Sequence, residues 1–438
     1  MREDSARLVL MLFDAAGVYV SIVLAYVFVW WLEEDLNAVP GDLSHYTDKL
    51  IVYILVILTF ITLKLYRYRR DFWDETRLIL KGLILSFFMV LSVLALNKSV
   101  ADYSDGIIIL SYVFMSFVLP STKFVLKRYW NVFGLWPKKA SVISGNSKIG
   151  DIIFGNRYLG YVKTSPAHSD VVFMDTSGNA KDHIEARLSK LVRQKKKIIF
   201  IPLLNSFDYT RAGIVNVFNA RTNMIVLENA LQKRSNIILK NSSDVVMSIL
   251  LLPLLVPVFA LIAFLIKREE PKGSVFFKQE RLGKNGRTFV CYKFRSMRED
   301  GDKVLEQYLQ THPEEVENYQ VYHKYENDPR ITKIGAFLRR TSLDELPQII
   351  NVLRSEMSLI GPRPYMLNEK AKIGADIDLV LAVKPGISGL WQVSGRSDVD
   401  FHSRVAMDVY YTRNWRLWMD FVIFFKTIKT VLVREGAS

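Results

Sequence analysis

Hydrophobic positions form long unbroken runs near the N-terminus, short runs through the middle, and one long run again at residues 245–266. Residues 8–32 are apolar except for Asp14. This run exceeds the roughly 20 residues that cross a bilayer and has no cleavage signal behind it, so it predicts a retained membrane helix rather than a signal peptide. Runs at 50–63, 82–96 and 107–119 are shorter and gain spanning length only from flanks bearing Lys64, Lys81 or Lys123. Four such runs in succession predict a helical membrane bundle over residues 1–130.

Beyond residue 138 the period changes. The short runs "ASVIS", "DVVFMD" and "KKIIFIPLL" alternate with the polar, helix-prone "KDHIEARLSKLVRQ". That alternation predicts a Rossmann-like α/β module with a parallel sheet over 138–230. Its turn "SGNSKIG" has Gly145 and Gly150 but lacks the G-x-G-x-x-G spacing, which favours a structural or regulatory role over nucleotide binding.

The connecting segments set the orientation. "EEDLNAVPGDLSHYTDK" (33–49) is acidic, whereas "KLYRYRRDFWDETR" (64–77) and the stretch around Lys127, Arg128, Lys138 and Lys139 are basic. The positive-inside rule then places the N-terminus and everything beyond the fourth helix on the cytoplasmic face. A plain crossing at 245–266 would carry the basic segment after it outside. Pro257, with Pro253 as its rival, offers another path: the helix enters the membrane, bends and returns to the same face. At the C-terminal end, "YYTRNWRLWMDFVIFFKTIKTVLV" (410–433) mixes aromatic, aliphatic and basic residues as interfacial helices do.

The chain of 438 residues has a formal net charge of +14. Its mean hydropathy is nevertheless +0.14, so bases and apolar residues occupy separate regions, as in membrane proteins. The single cysteine, Cys291, excludes an intramolecular disulfide framework and reads as a packed thiol. The six histidines lack metal-binding spacing. No nucleic-acid-binding motif accompanies the positive charge, so nucleic acid is not an expected partner.

Chemistry concentrates after residue 270. "LRRTSLDELPQII" (338–350) sets Asp344 beside Glu345, and Ser342 with Glu345 fits an S-x-x-E capping box. Pro347 conflicts with that reading, because at the fifth helical position it would remove the bond to the carbonyl of Leu343. Adjacent helical side chains diverge by roughly 100°, so the two acids would have different roles. Lys293, Arg295, Arg339, Arg340, Arg363, Lys384 and Arg396 supply cations, several beside rigid turns such as "GPRP" and "KPGISG". Guanidinium forks on rigid turns suit phosphate oxygens, and hard carboxylate oxygens suit the Mg²⁺ that accompanies phosphates. The inventory fits phosphoryl transfer.

"FFKQERLGKNGRTFVCYKFRSM", "LRRTSLDELPQIINVLRSEMSLIGPRP" and "VKPGISGLWQVSGRSDVDF" resemble, in order, the motifs of the bacterial sugar transferases, the monotopic phosphoglycosyl transferases. The resemblance covers about 240–438, and the preceding helices extend it to the large form of that family. The last motif is most similar to the undecaprenyl-phosphate galactose phosphotransferases. One departure is Val256 before Pro257, where such proteins often have Ser. The resemblance implies a mainly α (α+β) catalytic domain over 240–438 with a re-entrant helix at about 245–266. It implies transfer of a sugar-1-phosphate, most closely galactose-1-phosphate, from a UDP-sugar to undecaprenyl phosphate, with UMP released and a homodimer as the assembly. On that reading Asp344 is the nucleophile that forms a covalent phosphosugar intermediate, Asp344 and Glu345 hold Mg²⁺, and Lys293, Arg295, Arg339, Arg340 and Arg363 bind the diphosphate. The site would face the cytoplasm at the bacterial inner membrane. A transferase attacking the sugar carbon and a non-enzymatic scaffold for polysaccharide assembly are the competing readings.

Overall fold

The structure, a computed structural model, describes residues 2–32, 42–99, 102–129, 137–143, 147–175, 197–201, 213–217, 222–226, 231, 233–312, 328–394 and 399–433. The chain divides into two compact units, Met1–Leu203 and Leu204–Ser438.

The first unit begins with helices α1 (Arg2–Leu32), α2 (Leu43–Thr47), α3 (Leu50–Thr62), α4 (Phe72–Leu96) and α5 (Asp105–Tyr129). Val18, Ala25, Phe60, Met115 and Leu119 meet in their core. Four segments here are long and apolar enough to cross a membrane: Ser5–Leu32, Leu43–Thr62, Phe72–Leu96 and Asp105–Tyr129. All four are longer than the apolar runs alone suggested, the last two most of all. Helix α4 starts ten residues before position 82, because the Asp71 carboxylate accepts the Trp73 N–H at 3.1 Å and Asp74 and Glu75 lie in its first turn, where acids favour the helix dipole. Helix α5 continues through Pro120, and the lysine that reads as its flank is interior.

Lys123 Nζ lies 2.8 Å from Asp14 Oδ2, and Lys127 pairs with Glu75, all four side chains being buried. Tyr66 donates to Asp14 at 2.7 Å, and Tyr158 donates to Glu75. Two ammonium groups against two carboxylates leave no uncompensated charge in this cluster, the condition under which buried ions are tolerated.

Strands β1 (Lys138–Ile143), β2 (Tyr161–Lys163), β3 (Val171–Asp175) and β4 (Lys197–Ile201) form the expected parallel sheet, in the order β2-β1-β3-β4. Helix α6 (Ser147–Gly155) follows β1 and packs Ile153 against Ala140, Val171 and Phe173. The segment "KDHIEARLSKLVRQ" and Gly145 lie outside the described residues. Arg69 donates to the carbonyls of Leu159 and Gly160, each at 2.9 Å, joining the bundle to the loop that leads into β2.

In the second unit, β5 (Gly213–Val217) and β6 (Thr222–Val226) pair antiparallel. Helix α7 (Arg234–Glu269) runs 36 residues with Pro253 and Pro257 both inside one helical element. Many of its apolar side chains are exposed, among them Leu250, Leu254, Val256 and Phe264. At its start Asp244 accepts from Ser358 Oγ at 2.7 Å, and Lys240 pairs with Asp420 at 2.8 Å. In its second half Phe259, Ile262 and Ile266 pack with Phe294, Leu338 and Leu346. At its end the Glu269 carboxylate accepts the backbone N–H groups of Lys333 and Ile334 at 2.7 and 2.9 Å. Helix α7 therefore touches the following fold at both ends.

The rest of the unit comprises the hairpin β7 (Phe276–Leu282) and β8 (Thr288–Phe294), helices α8 (Gly301–Thr311), α9 (Lys333–Thr341) and α10 (Ile349–Leu353), the parallel pair β9 (Ser358–Ile360) and β10 (Gly386–Ser388), and helices α11 (Phe401–Asn414) and α12 (Leu417–Val433). The glycines of "GPRP" and "KPGISG" mark where the chain leaving β9 packs closely against β10. A Cβ on Gly386 would lie 2.1 Å from Gly361 N, so neither turn could approach the other with a side chain there. Tyr411 donates to Asp420 at 2.7 Å and Trp415 Nε1 does so at 3.0 Å, which locks α12 against α11.

Candidate active site

Two adjacent elements converge on Asp344. Helix α9 has two reinforcements at its N-terminus: the Glu269 carboxylate described above, and Thr332 Oγ1, which accepts the Gly335 N–H at 2.9 Å. A Cβ on Gly335 would come within 2.0 Å of the Ser296 carbonyl oxygen, so glycine allows α9 to lie against the strand exit after β8. The other end of α9 stops at Ser342, which adopts the left-handed region at φ 57°, ψ 19°. The following residues, Leu343–Gln348, form a 3-10 helix.

This geometry corrects the capping-box reading. Ser342 makes no side-chain cap bond; it is the left-handed C-cap of the preceding helix, where its backbone N–H bonds back to Arg339 and Leu338 carbonyls. The Pro347 conflict is resolved because no regular α-helix starts at Ser342. A left-handed non-glycine residue is uncommon and often marks a functional bend. Here it turns the chain two residues before Asp344.

Strand β8 supplies the counter-charge. Alternation places Lys293 on the same face as Phe289 and Cys291, whose side chains are buried with Val352 and Met357. An ammonium aimed inward needs a partner, and Lys293 Nζ finds Glu345 Oε1 at 2.7 Å. Burial opposes the Lys293 charge, but Glu345 and then Asp344 outweigh it and hold its pKa above the usual value. Asp344 is pushed up to about 6, first by burial and then by the Glu345 charge, with Lys293 and Arg339 pulling the other way. Cys291 is a free thiol raised to about 11 by burial.

The other expected cations divide into two groups. Arg339 acts on Asp344 and is steadied by its Nε donating to Ser296 Oγ at 2.9 Å. Arg340 is exposed in the same last turn of α9, so both guanidiniums lie at the helix end that favours cations. Arg295 is held by Ser274 Oγ at 2.6 Å and lies 3.8 Å from Glu299. Arg363 belongs to a second group: its guanidinium lies 5.8 Å from the Trp391 ring centroid, and Arg404 lies 5.0 Å from the same ring. Arg281 joins the groups electrostatically: burial and then Arg363 lower its pKa, while Glu345 is among the charges supporting it. Arg396 lies outside the described residues.

Several residues that shape the site were not visible as site residues in the sequence. Buried Asp408 accepts from Tyr365 OH at 2.8 Å and from the Arg363 N–H at 3.3 Å, and burial raises it to about 7. Asn351 accepts the Tyr292 N–H at 3.1 Å and donates to the Val290 carbonyl at 2.7 Å, which fixes β8 beside the 3-10 segment. Ser296 stood within a quoted motif, but only its contact with Arg339 reveals a role.

The bacterial sugar transferase family profile matches residues 235–434, the stretch that contains all of these groups. A UDP-galactose-lipid carrier transferase of Erwinia amylovora is 34% identical over 98% of this chain and 97% of its own length. The chain belongs to the bacterial sugar transferase family. An undecaprenyl-phosphate galactose phosphotransferase of Salmonella typhimurium is 32% identical, covering 90% of this chain and 89% of the relative. A UDP-glucose:undecaprenyl-phosphate glucose-1-phosphate transferase of Escherichia coli is 36% identical over 58% of this chain and 53% of its own. The full-length matches span the membrane helices as well as the family region.

The Asp344 environment gives a test of whether this carboxyl takes part in turnover. A reaction that requires ionised Asp344 loses about tenfold in rate per pH unit below about 6. Lys293→Met removes a cation favouring the charged form and moves this fall in rate to higher pH. A pH–rate profile of sugar transfer checks both; a flat profile down to about pH 4.5, the range of an ordinary aspartate, would show that turnover does not depend on this titration.

Proposed function

We propose that the chain transfers a sugar-1-phosphate from a UDP-sugar to undecaprenyl phosphate, with Asp344 as the nucleophile. The observation that carries this reading is the position of Asp344, just past a left-handed bend, beside Glu345 and within the field of Lys293 and Arg339. An Asp344 oxygen attacks the β-phosphorus, the bond to the bridging oxygen breaks, and UMP leaves. A phosphate oxygen of the prenyl acceptor then attacks the same phosphorus, restoring the Asp344 carboxylate and forming the lipid diphosphate-sugar. The sugar C1–O bond stays intact throughout. The aspartate is mainly ionised near pH 7 and needs no general base.

Mg²⁺ fits the donor set. Asp344 makes no ion pair among the described residues, and burial together with Glu345 disfavours its charge, so a neighbouring cation would relieve the strain between the two acids. Asp344 and the Glu345 oxygen not bound to Lys293 are hard donors of the kind Mg²⁺ shares with substrate phosphates. When bound, the ion would offset negative charge on those phosphates. Lys293 and Arg339 flank the acids; Arg340, Arg295 and Arg363 extend the basic lining toward the diphosphate.

Galactose is the proposed sugar, because two of the relatives matched along nearly their whole lengths carry galactose in their names, whereas the glucose-named relatives match along about half. The proposed setting is the cytoplasmic face of the bacterial inner membrane, which the basic segments flanking the bundle support.

A re-entrant course for α7 is supported by its contacts. From Asp244 to Glu269 a helix rises about 38 Å, more than the roughly 30 Å hydrocarbon core. A straight crossing would separate these two residues by the membrane, yet Asp244 bonds to Ser358 and Glu269 to the start of α9 within one fold. A bend, at Pro257 or Pro253, keeps both ends on one face.

Two measurements test this function. UMP is the expected nucleotide product, with turnover in Asp344→Asn falling by at least about a thousandfold, the scale of losing a nucleophile; release of UDP would indicate attack at the sugar carbon. In membrane vesicles, Ser242→Cys and Lys267→Cys should both react with an impermeant maleimide from the same side, and Pro257→Ala should move one of them away. Labelling from opposite sides in the wild-type background would show a crossing helix.

A further inference from the structure

Beside the polar start of α7, a small cavity of about 30 Å³ is lined by Lys240, Asn241, Asp244, Lys284, Lys384 and Tyr411, together with apolar neighbours. Three independent parts of the fold meet there. Asn285 N–H donates to the Leu381 carbonyl at 2.7 Å, which pins the tip of the β7–β8 hairpin beside the "VKPG" turn and brings Lys284 and Lys384 to one cavity. Helix α7 supplies the third wall.

The charges lining this cavity do not cancel. Lys240 is paired with Asp244 at 3.0 Å and with Asp420 at 2.8 Å. Both Asp244 oxygens are occupied: Oδ1 by Lys240 and by the Leu359 N–H at 3.3 Å, and Oδ2 by the Ser358 hydroxyl at 2.7 Å. Asp420 is likewise taken up by Lys240, Tyr411 and Trp415. Lys284 and Lys384 make no ion pair among the described residues; with Lys240 they set three ammonium groups against the two carboxylates of Asp244 and Asp420, an excess of one positive charge. Lys384 is half-buried, and burial lowers its pKa; Asp244 supports its charge while Lys284 and Lys240 oppose it, and a bound anion would offset the remaining cost.

Position identifies the anion. The lining residues Ile237, Lys240, Asn241 and Asp244 occupy the last turns of α7 before its charge-free stretch at 245–266, the depth at which a membrane helix passes through the headgroup layer. The cavity is too small for a nucleotide or a lipid chain, and its volume suits no more than the oxygen end of a compact tetrahedral group. The charges that act on Asp344 are Glu345, Lys293 and Arg339, and neither Lys284 nor Lys384 is among them.

We propose that Lys284 and Lys384, with Asn241, form an accessory site for a phosphate group presented by an anionic membrane lipid, fastening the catalytic fold to the interface beside α7. The inference rests on α7 lying in the membrane and not on the sugar-transfer reading, so the two can fail separately.

Native mass spectrometry of the full chain released from nanodiscs of phosphatidylglycerol and phosphatidylcholine tests it. Wild type is expected to retain phosphatidylglycerol, Lys284→Gln/Lys384→Gln to retain it roughly tenfold to thirtyfold less, and Lys284→Arg/Lys384→Arg to keep it. Equal retention by the glutamine variant, with its thermal midpoint unchanged, would overturn the site. A parallel arm adds inorganic phosphate to protein in phosphatidylcholine alone. Stabilisation by phosphate matching that by phosphatidylglycerol, lost in the glutamine variant, would overturn the lipid as the source and leave a free-phosphate site.

Discussion

A hydrophobic helix that cannot rest in water constrains everything polar in the second unit. Helix α7 exposes a broad apolar surface along its middle, yet its ends carry Lys240, Asp244 and Glu269, each bonded to a different part of the following fold. The burial preference of the middle fixes where the ends can be, and the ends fix β9, α12 and α9. Glu269 is the most consequential of these ties. By accepting the first N–H groups of α9 it sets the helix whose far end turns, through Ser342, into Asp344. A carboxylate at a helix N-terminus contributes on the order of 1 kcal/mol, a modest energy with a large positional consequence.

The same logic holds in the first unit with the signs reversed. Asp14 interrupts an otherwise apolar helix, and its presence makes sense only with Lys123 and Tyr66 beside it. Glu75 joins Lys127 and Tyr158 in the same way. Removing one partner of such a group leaves an unpaired buried charge, which costs several kcal/mol, so the cluster specifies how these helices meet. Tyr158 and Arg69 extend that specification to the sheet, because both lie where the bundle meets the loop leading into β2.

How much of this was legible in the sequence depended on the range of the interactions involved. Apolar runs and alternation, which are local, revealed the helices, the parallel sheet and the unusual run at 245–266. Helix ends were less legible: Lys123 reads as a flanking base because nothing nearby in sequence neutralises it, and its partner Asp14 is more than a hundred residues away. The capping box at Ser342 failed for a related reason. The S-x-x-E spacing is a local rule for a helix start, whereas Ser342 closes the preceding helix α9 with its N–H bonded to the Arg339 and Leu338 carbonyls. Asp344, Glu345, Lys293 and Arg339 were singled out from their motifs, and the fold places them near one another. Arg363 was grouped with them in the sequence; in the structure its guanidinium lies over Trp391 beside Arg404, while its backbone N–H bonds Asp408.

The central claim is that Asp344 becomes covalently linked to the phosphosugar. Intact-protein mass spectrometry of the purified chain with UDP-galactose and Mg²⁺, in the absence of lipid acceptor, tests it most directly. A hexose-phosphate adduct is expected on wild type, absent from Asp344→Asn and discharged when undecaprenyl phosphate is added. An adduct that persists in Asp344→Asn, or product formation without any adduct, would contradict it.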